Sequence, residues 1–314
     1  MSIGLEKLGA SGFMNGVLNI NKPSSFTSHD VVAVVRKLLQ EKKIGHLGTL
    51  DPLATGVLPL AVGVATRLIE YASFSKTYRT TCLLGRTTDS CDITGKILSE
   101  KAMEGLSQEK VREETIRLQT LTEQTPPMVS ALKSGGKKLY ELARQGITVE
   151  RKARSVRVEK IEILDLKLPR VSFRVTCSAG TYVRVLCESL GEALGVGGCM
   201  ETLEREEVGP FHLNHSVTLE TLQKKNETQN LEKFLLPVSL LVAHLPAVRL
   251  EAEELATFCL GKPINIRDID PSDMELQEPI RVLNAEGRLC AIGEMRFNDK
   301  TLKPNKVFGI EGLL

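Results

Sequence analysis

One short segment of the chain brings together residue types that can do chemistry. Between Gly45 and Gly56 it carries an imidazole at His46, a carboxylate at Asp51 and three glycines. Glycine lets backbone and substrate approach a functional group closely, so the segment is a candidate reaction site. The same residues also fit a simpler interpretation, in which Asp51 caps a short helix that starts at Pro52. The segment alone does not decide between the two.

Cysteine and histidine spacing argues against a disulfide framework and against a metal centre. The seven cysteines include no C-x-x-C pair, and the five histidines form no H-E-x-x-H motif. The chain also lacks G-x-G-x-x-G and G-x-x-x-x-G-K-[ST] motifs, which cradle phosphates. We therefore expect reduced, mostly buried thiols, no metal site and no cofactor.

The elements that must position the glycine-rich segment follow from periodicity. Thr27 and Ser28 are favourable N-cap residues, and apolar residues recur at helical spacing after them, which predicts a helix to about Gln40. Similar patterns predict a buried apolar segment over Gly56–Ile69, strands over Tyr78–Leu84 and Val171–Cys177, and helices over Ser107–Thr120 and Thr181–Leu194.

Length and composition indicate a folded chain of two domains. The 314 residues are 42% hydrophobic and 25% charged, which are ordinary globular values. We place the boundary near Ala243, giving domains of residues 1–243 and 244–314. In the second, the pattern predicts a helix over Glu251–Cys259, strands over Ile280–Leu283, Leu289–Met295 and Lys306–Ile310, and a turn over Asn298–Pro304. No apolar run is long enough to span a bilayer, and the N-terminus lacks a signal-peptide pattern, so we expect a cytoplasmic protein.

Positive charge is concentrated in one stretch. Residues 126–160 contain nine basic and three acidic side chains, a local charge of +6 in a chain whose net charge is +2. Residues 122–155 also contain Pro126-Pro127 and Gly135-Gly136, which predict an excursion from the sheet. Such an excursion suits a clamp on a phosphate backbone, although a solvated basic face explains the charge equally well.

Several motifs together resemble one family. The segment G-H-L-G-T-L-D-P-L-A-T-G-V-L-P is similar to the catalytic signature of the TruB family, the tRNA pseudouridine-55 synthases. Three further motifs resemble that family's in the expected order: Gly16–Pro23, Lys76–Arg79 and Cys177–Arg184. Residues 125–133 and 136–146 resemble an insertion of the stand-alone bacterial enzymes. The resemblance covers residues 16 to about 215, and the tail after Leu245 resembles a PUA-type RNA-binding module.

The resemblance implies an α+β pseudouridine synthase fold, with a mixed, largely antiparallel sheet, flanking helices and a small β-rich C-terminal domain. The implied reaction isomerises a uridine in the T loop of tRNA: the glycosidic N–C bond breaks, the uracil turns and a C–C bond forms. Such an isomerisation requires no cofactor. The implied partner is the T arm and elbow of tRNA, and we expect a monomer with no obligate protein partner and no membrane association.

Three residues are implied to be catalytic. Asp51 would act as an ionised carboxylate that attacks the sugar, attacks the base or removes a sugar proton. Arg184 would keep that carboxylate ionised and oriented, because a guanidinium presents a planar fork to a carboxylate. Tyr78 would stack on the extruded uracil and assist removal of the proton from C5.

The remaining candidates would bind the RNA or shape the pocket. His46 would occupy the space that the flipped base leaves, Asp92 would orient Arg184 or contact RNA, and Leu203 would close the uracil pocket. Lys22 would have a structural role or contact a phosphate. The basic excursion would grip the RNA through Lys133, Lys137, Lys138 and Arg144.

One motif departs from the family, and two other functions stay open. Where family members carry two basic residues after the leucine, this chain has Glu204-Arg205-Glu206-Glu207, so an RNA contact is not expected there. A dyskerin-like, guide-dependent subunit would lack the excursion over residues 122–155. A non-catalytic RNA-binding protein would have no need of Asp51, Tyr78 and Arg184.

Overall fold

The computed structural model describes residues 14–130, 132–226, 231–265, 279–296 and 301–312. Six α-helices lie in these ranges: α1 (Ser28–Leu39), α2 (Gln108–Arg117), α3 (Leu139–Arg144), α4 (Val183–Ala193), α5 (Leu219–Asn226) and α6 (Ala252–Cys259). Short 3-10 helices cover Gly63–Tyr71, Leu118–Thr120, Leu213–His215, Glu232–Phe234 and Val238–Leu241.

The strands divide into those of the first part of the chain and those of a C-terminal module. The first group comprises β1 (Gly16–Lys22), β2 (Ile44–His46), β3 (Thr55–Val62), β4 (Lys76–Leu84), β5 (Arg86–Thr88), β6 (Ile97–Glu100), β7 (Glu123–Gln124), β8 (Lys133–Ser134), β9 (Lys137–Lys138), β10 (Arg154–Ser155), β11 (Val158–Lys167), β12 (Arg170–Cys177), β13 (Gly198–Val208), β14 (Phe211–His212), β15 (Val217–Thr218) and β16 (Leu235–Leu236). The module contains β17 (Ala247–Arg249), β18 (Ile264–Asn265), β19 (Ile280–Leu283), β20 (Leu289–Arg296) and β21 (Thr301–Val307).

A ten-stranded sheet forms the centre of the molecule. Its strands run in the order β11-β12-β4-β13-β3-β1-β15, with β14 beside β13, β16 beside β1 and β2 beside β3. Strand β1 pairs in parallel with β15, and β13 pairs in parallel with β3, while the other pairs are antiparallel. The predicted mixed, largely antiparallel α+β fold is therefore confirmed.

Local signals account for the helices that flank this sheet. Thr27 and Asp30 form a capping box at the start of α1, and the valines of that helix are buried against the sheet. Helix α4 buries Val183, Leu186 and Leu190 in the same core. The helices predicted over Ser107–Thr120 and Thr181–Leu194 lie where they were expected, within a few residues.

The C-terminal module is a five-stranded sheet in the order β17-β19-β20-β21-β18, and α6 packs on it. It contacts the first part of the chain through Lys306, whose Nζ lies 2.8 Å from Glu70 Oε1, and through Arg67, whose guanidinium lies over the ring of Phe308. Leu289 and Ile292 join a shared apolar cluster with residues of β1 and β3.

Within the described ranges, no helix is long and apolar enough to cross a membrane.

The predicted helix after Asp51-Pro52 is wrong. The backbone makes a turn there, with the Ala54 N–H donating to the Asp51 carbonyl at 3.0 Å, and β3 begins at Thr55. The Pro52 carbonyl, which in a helix would accept a bond from a residue one turn later, instead accepts bonds from Ser25 N and Lys22 Nζ. Asp51 is consequently free of a capping role.

The predicted last strand is also displaced. Strand β21 covers Thr301–Val307, so the turn predicted over Asn298–Pro304 is wrong for residues 301–304. Residues 297–300 lie outside the described ranges. Pro304 is tolerated because the register shifts beside it, with Ile292 opposite Lys306 and Gly293 opposite Pro304. The N-terminal residues 1–13, from which a cytoplasmic location was predicted, also lie outside the described ranges.

Gly56 allows β3 and β13 to approach each other closely. Its φ is +100°, and a Cβ there would lie 2.8 Å from Arg205 N and closer still to the Arg205 carbonyl. We expect Gly56→Ala to lower the free energy of unfolding by about 2 kcal/mol or more, from backbone strain and steric overlap together. Denaturant titration measures the change.

Gly146→Ala is the matched control, because Gly146 also has a positive φ but has nothing within 4 Å of the Cβ position. Gly146→Ala introduces the backbone strain without the steric overlap, so it should lower the free energy of unfolding by about 1 kcal/mol. Equal losses in the two variants would contradict the importance of the strand contact.

Candidate active site

A pocket opens where the loop between β2 and β3 meets the start of α4. Its volume is about 310 Å³, and its walls include Asp51, Lys76, Tyr78, Ser130, Arg184 and Leu203. These residues come from β4, β13, α4, the loop before β3 and the segment after β7. The fold therefore brings the three predicted catalytic residues, Asp51, Tyr78 and Arg184, to one cavity.

Asp51 and Arg184 form a two-point ion pair in this pocket. Arg184 Nε lies 2.9 Å from Asp51 Oδ2, and Arg184 Nη2 lies 3.2 Å from Asp51 Oδ1. The Arg184 side chain is 4% exposed and the Asp51 side chain 29% exposed, so the carboxylate faces the pocket while the guanidinium lies beneath it. This fork-like geometry fixes the direction of both carboxylate oxygens.

The guanidinium of Arg184 is also held by the surrounding backbone. Nη1 donates to the Ser90 carbonyl at 3.0 Å, and Nη2 donates to the Val129 carbonyl at 2.8 Å. Asp92 Oδ2 lies 3.6 Å from Nη1, and the other oxygen of this buried carboxylate accepts bonds from Ser90 and Thr94. Asp92 thus lies behind Arg184, away from the pocket wall, in a place where it can orient the guanidinium.

The start of α4 is anchored from the opposite side. Gln124, buried on β7, accepts a hydrogen bond from Tyr182 N at 2.9 Å and donates one to the Tyr182 carbonyl at 3.4 Å. Tyr182 is the N-cap residue of α4, and Arg184 is the second residue of the helix. Gln124 therefore fixes the position from which the Arg184 side chain extends.

Burial raises the pKa of Asp51 above its ordinary value. The nearby Arg184 guanidinium opposes this shift, Asp92 adds to it, and Lys22 opposes it more weakly. Desolvation disfavours the charged carboxylate, so the ionised form depends on the positive charges placed around it.

Lys22 lies beneath the loop that carries Asp51, a position that favours the predicted structural role over the predicted phosphate contact. The side chain is fully buried, and its Nζ donates to the carbonyls of Pro23 at 2.8 Å, Phe26 at 2.7 Å and Pro52 at 3.3 Å. Burial lowers its pKa to about 8. Because no surface of Lys22 is accessible, its ammonium group fixes the backbone next to Asp51 and cannot meet RNA.

Arg205 is a residue of the site that the sequence analysis missed. It is fully buried on β13, and its guanidinium donates to the carbonyls of Val57 at 2.7 Å, Gly48 at 3.1 Å and Thr49 at 3.4 Å. Arg205 also lies opposite Tyr78 in the sheet; burial raises the pKa of Tyr78, and the guanidinium opposes that shift. The sequence did contain a signal for Arg205. It stands two residues after Leu203, which was predicted to line the pocket, so the two side chains lie on the same face of the strand.

Lys76 was quoted within a motif but was not proposed as a site residue. It lies two residues before Tyr78 on β4, on the same face, and lines the pocket. Burial lowers its pKa to about 8, and neighbouring Arg205 adds to that shift while Cys177 opposes it. As a lining residue of the cavity, Lys76 can reach a ligand bound there.

Leu203, which was predicted to close the uracil pocket, lies in the pocket wall. His46, which was predicted to occupy the space left by the flipped base, lies outside that wall. Leu203 is buried on β13 and faces the cavity. His46 ends β2 half-buried, and its Nδ1 accepts a hydrogen bond from Gly48 N at 3.3 Å. Burial lowers the pKa of His46, which favours the neutral ring.

The four basic residues predicted to grip RNA lie on a separate excursion. Pairing of β7 with β10 closes the base of this excursion, which carries β8, β9 and α3. Lys133, Lys137 and Arg144 are exposed, and Lys138 is half-buried. Lys138 and Arg144 both lie 5.4 Å from the centre of the Tyr140 ring, so they flank one aromatic side chain.

Three of the four glutamates of β13 have internal partners, including Glu206 and Glu207 of the acidic departure from the family motif. Three glutamates of β13 are bound by neighbouring side chains: Glu201 by Arg170 at 2.8 Å, Glu206 by Arg174 at 2.6 Å and Glu207 by Thr77 at 3.0 Å. The arginines lie on β12, which is separated from β13 by β4. These ion pairs offset the negative charge of the strand.

Family models match most of the site region. The model for the TruB family pseudouridylate synthase N-terminal domain matches residues 36–183. The model for the tRNA pseudouridylate synthase B C-terminal domain matches residues 184–243.

Curated relatives and solved structures agree with these matches. The tRNA pseudouridine synthase B of Heliobacterium modesticaldum is 50% identical over 302 residues, covering 94% of this chain and 96% of the relative. The protein of the same name from Heliobacterium mobile is 42% identical over 299 residues, covering 94% and 95%. A chain from the crystal structure of a Cbf5-Nop10-Gar1 complex superposes with a TM-score of 0.71 at 26% identity, covering 94% of this chain and 86% of that one.

The structural role of Lys22 can be tested without an activity assay. Lys22→Met leaves the carbonyls of Pro23, Phe26 and Pro52 without their buried donor. We expect the free energy of unfolding to fall by about 3 kcal/mol, as for other buried groups that lose a charged partner. Lys37→Met, on the exposed side of α1, is the control and should change it by less than about 0.5 kcal/mol. Equal stability of both variants would refute the role given to Lys22.

Proposed function

The chain belongs to the TruB family of pseudouridylate synthases, and from that premise we propose that it isomerises uridine 55 in the T loop of tRNA to pseudouridine as a stand-alone enzyme. The full-length relatives named tRNA pseudouridine synthase B support the activity. The T-loop position and the assignment of individual residues belong to this proposal.

The two-point contact between Arg184 and Asp51 carries the proposal. It holds a carboxylate at the wall of a pocket whose volume, about 310 Å³, lies in the range of small-ligand sites, about 300–1,000 Å³. The carboxylate is desolvated and oriented, and Tyr78 supplies an aromatic wall beside it. A flipped nucleobase is a planar ligand that suits this combination.

The proposed reaction moves the uracil from one attachment atom to another. The bond between N1 and C1′ breaks, the ring turns within the pocket, C5 bonds to C1′, and the proton on C5 moves to N1. Asp51 assists by attacking the sugar, attacking the base or removing a sugar proton. Each of these roles requires the ionised carboxylate, which Arg184 stabilises through its contacts with both oxygens.

Tyr78 acts on the base in this proposal, and Arg205 acts on Tyr78. Stacking on an aromatic side chain contributes about 1–3 kcal/mol, which is comparable with the few kcal/mol needed to extrude a nucleotide. Arg205 lies opposite Tyr78 and opposes the rise in the pKa of its hydroxyl. That hydroxyl is therefore suited to assist transfer of the C5 proton.

The excursion and the C-terminal module extend the RNA contact beyond the pocket. We assign residues 1–243 to the catalytic domain, with the excursion over residues 122–155 as its RNA clamp, and residues 244–314 to a PUA-like RNA-binding domain. The exposed cations Lys133, Lys137 and Arg144 support the clamp. The presence of the excursion favours a stand-alone enzyme over a guide-dependent one, and the cytoplasmic location stays a prediction.

Replacing Asp51 with asparagine tests the catalytic assignment. Asp51→Asn keeps the shape but removes the charge, so pseudouridine formation should be abolished while tRNA affinity changes less than about threefold. Purified protein is incubated with unmodified tRNA transcript, without cofactor or guide RNA and with excess chelator. Carbodiimide-dependent reverse-transcription stops then map pseudouridine.

Asp165→Asn is the control, because Asp165 is an exposed carboxylate paired with Lys167 on β11. Asp165→Asn should form pseudouridine as the protein without substitutions does. Turnover by Asp51→Asn would refute the assignment of Asp51. An unmodified chain that binds tRNA and produces no T-loop stop would favour the guide-dependent or non-catalytic alternatives.

The RNA clamp predicts a change in salt dependence. Each phosphate contact contributes about 0.7–0.9 to the slope of log affinity against log salt concentration. Lys137→Ala with Lys138→Ala should therefore weaken tRNA binding and flatten the slope by about 1–2. Lys167→Ala with Lys224→Ala removes two cations that are already paired with Asp165 and Glu220, and should leave the slope unchanged. Identical slopes in the two double variants would show that the excursion does not touch phosphates.

A further inference from the structure

One hydroxyl group in the pocket wall has no hydrogen-bond partner among the residues that the structure describes. Ser130 is 6% exposed, and within the described ranges its Oγ makes no hydrogen bond. The residue lines the same cavity as Asp51, Tyr78 and Leu203. Buried hydroxyl groups are nearly always hydrogen-bonded, so an unpaired one in a ligand pocket indicates a group that a ligand completes.

The backbone around Ser130 is fixed on both sides. Ser130 N donates to the Met128 carbonyl at 3.0 Å, and the Ser130 carbonyl accepts from Tyr140 N, at the start of α3, at 3.1 Å. The preceding carbonyl, that of Val129, accepts from Arg184 Nη2 at 2.8 Å. The hydroxyl is therefore held at a defined place between the RNA clamp and the catalytic ion pair.

Other unpaired buried atoms do not share this position. Among the described residues these are Asn19 Oδ1, Tyr71 Oη and Arg151 Nε, and none of these residues lines the pocket. Of the groups that do line it, Asp51 and Arg184 already bind each other. Ser130 is thus a neutral donor that remains for the ligand.

The geometry of uracil suits a neutral donor at a fixed point. Turning the ring by half a turn about the line through N3 and C6 exchanges N1 with C5, and in the same movement exchanges O2 with O4. A carbonyl oxygen therefore occupies the same place before and after the turn. Cytosine has an amino group at one of these two places and does not preserve the acceptor.

We propose that the Ser130 hydroxyl donates a hydrogen bond to a carbonyl oxygen of the extruded uracil and retains such an acceptor when the ring has turned. This inference rests on the proposed function and makes Ser130 a positioning and specificity-determining residue. No covalent bond to Ser130 forms. The hydroxyl keeps the base in the plane in which C5 reaches C1′.

Ser130→Ala separates this role from a structural one. Removing an unpaired buried hydroxyl leaves no new unpaired group, so the melting temperature should stay the same or rise. The single-turnover rate on a T-arm hairpin should fall about tenfold, the effect of one lost hydrogen bond to the reacting base. Ser99→Ala, which removes a hydroxyl that contacts Thr87 outside the pocket, should leave the rate unchanged.

Substrate analogues identify the acceptor. Hairpins with uridine, 2-thiouridine or 4-thiouridine at the target are converted by the unmodified chain and by Ser130→Ala, and the nucleosides are separated by liquid chromatography. Sulfur is a weak acceptor, so with at least one analogue the tenfold difference between the proteins should shrink to about twofold.

A full tenfold difference with all three hairpins, or no difference with uridine, would overturn the role of Ser130. So would a lower melting temperature accompanied by the same loss on every substrate, which is the result of a structural role. An unmodified chain that is inactive on tRNA would instead overturn the proposed function, and this inference with it.

Discussion

The contact between the Asp51 carboxylate and the Arg184 guanidinium is the interaction on which the site depends. Burial alone drives the carboxyl toward its neutral form, and the guanidinium is the largest opposing influence. Arg184 is itself almost fully buried, so it must be neutralised in turn. Asp51, Asp92 and the carbonyls of Ser90 and Val129 do this together. The charged pair is stable because each member removes the cost of burying the other.

The loop that carries Asp51 has no regular structure, and buried side chains from elsewhere hold it. Arg205 binds the carbonyls of Gly48 and Thr49, Ser28 exchanges two hydrogen bonds with Leu50, and Lys22 binds the carbonyl of Pro52. These anchors lie on β13, at the start of α1 and on β1, so three elements meet at one loop. Their side chains satisfy buried carbonyls that a helix or a sheet would otherwise pair. Lys22 and Arg205 also contribute positive charge near Asp51.

The same network links the RNA clamp to the catalytic pair. Gln124, at the base of the excursion, binds the backbone of Tyr182, and Val129 binds Arg184 directly. A movement of the segment from Gln124 to Val129 therefore changes the position of Arg184 as well as that of the clamp. The position of the excursion and the geometry of the ion pair are therefore coupled, since both depend on the same backbone.

Local sequence signals predicted the elements that local forces determine. The capping box of α1 and the alternation in β4 and β12 lie within single segments, so periodicity located them. The proximity of Asp51 and Arg184, which are 133 residues apart, was expected only from a family resemblance. Spacing along the chain carries no information about such a contact.

Arg205 shows why the remainder was not predicted. In sequence it stands between glutamates and suggests an exposed, charged strand, yet its partner Val57 lies 148 residues away. Glu206, which follows Arg205, is bound by Arg174, while Arg205 points inward at the loop carbonyls. A polar residue is buried here because backbone acceptors of a distant segment need a donor. That requirement exists only once β3 and β13 are paired. The two-residue spacing from Leu203 indicates on which face of the strand Arg205 lies, but it does not indicate what the guanidinium binds.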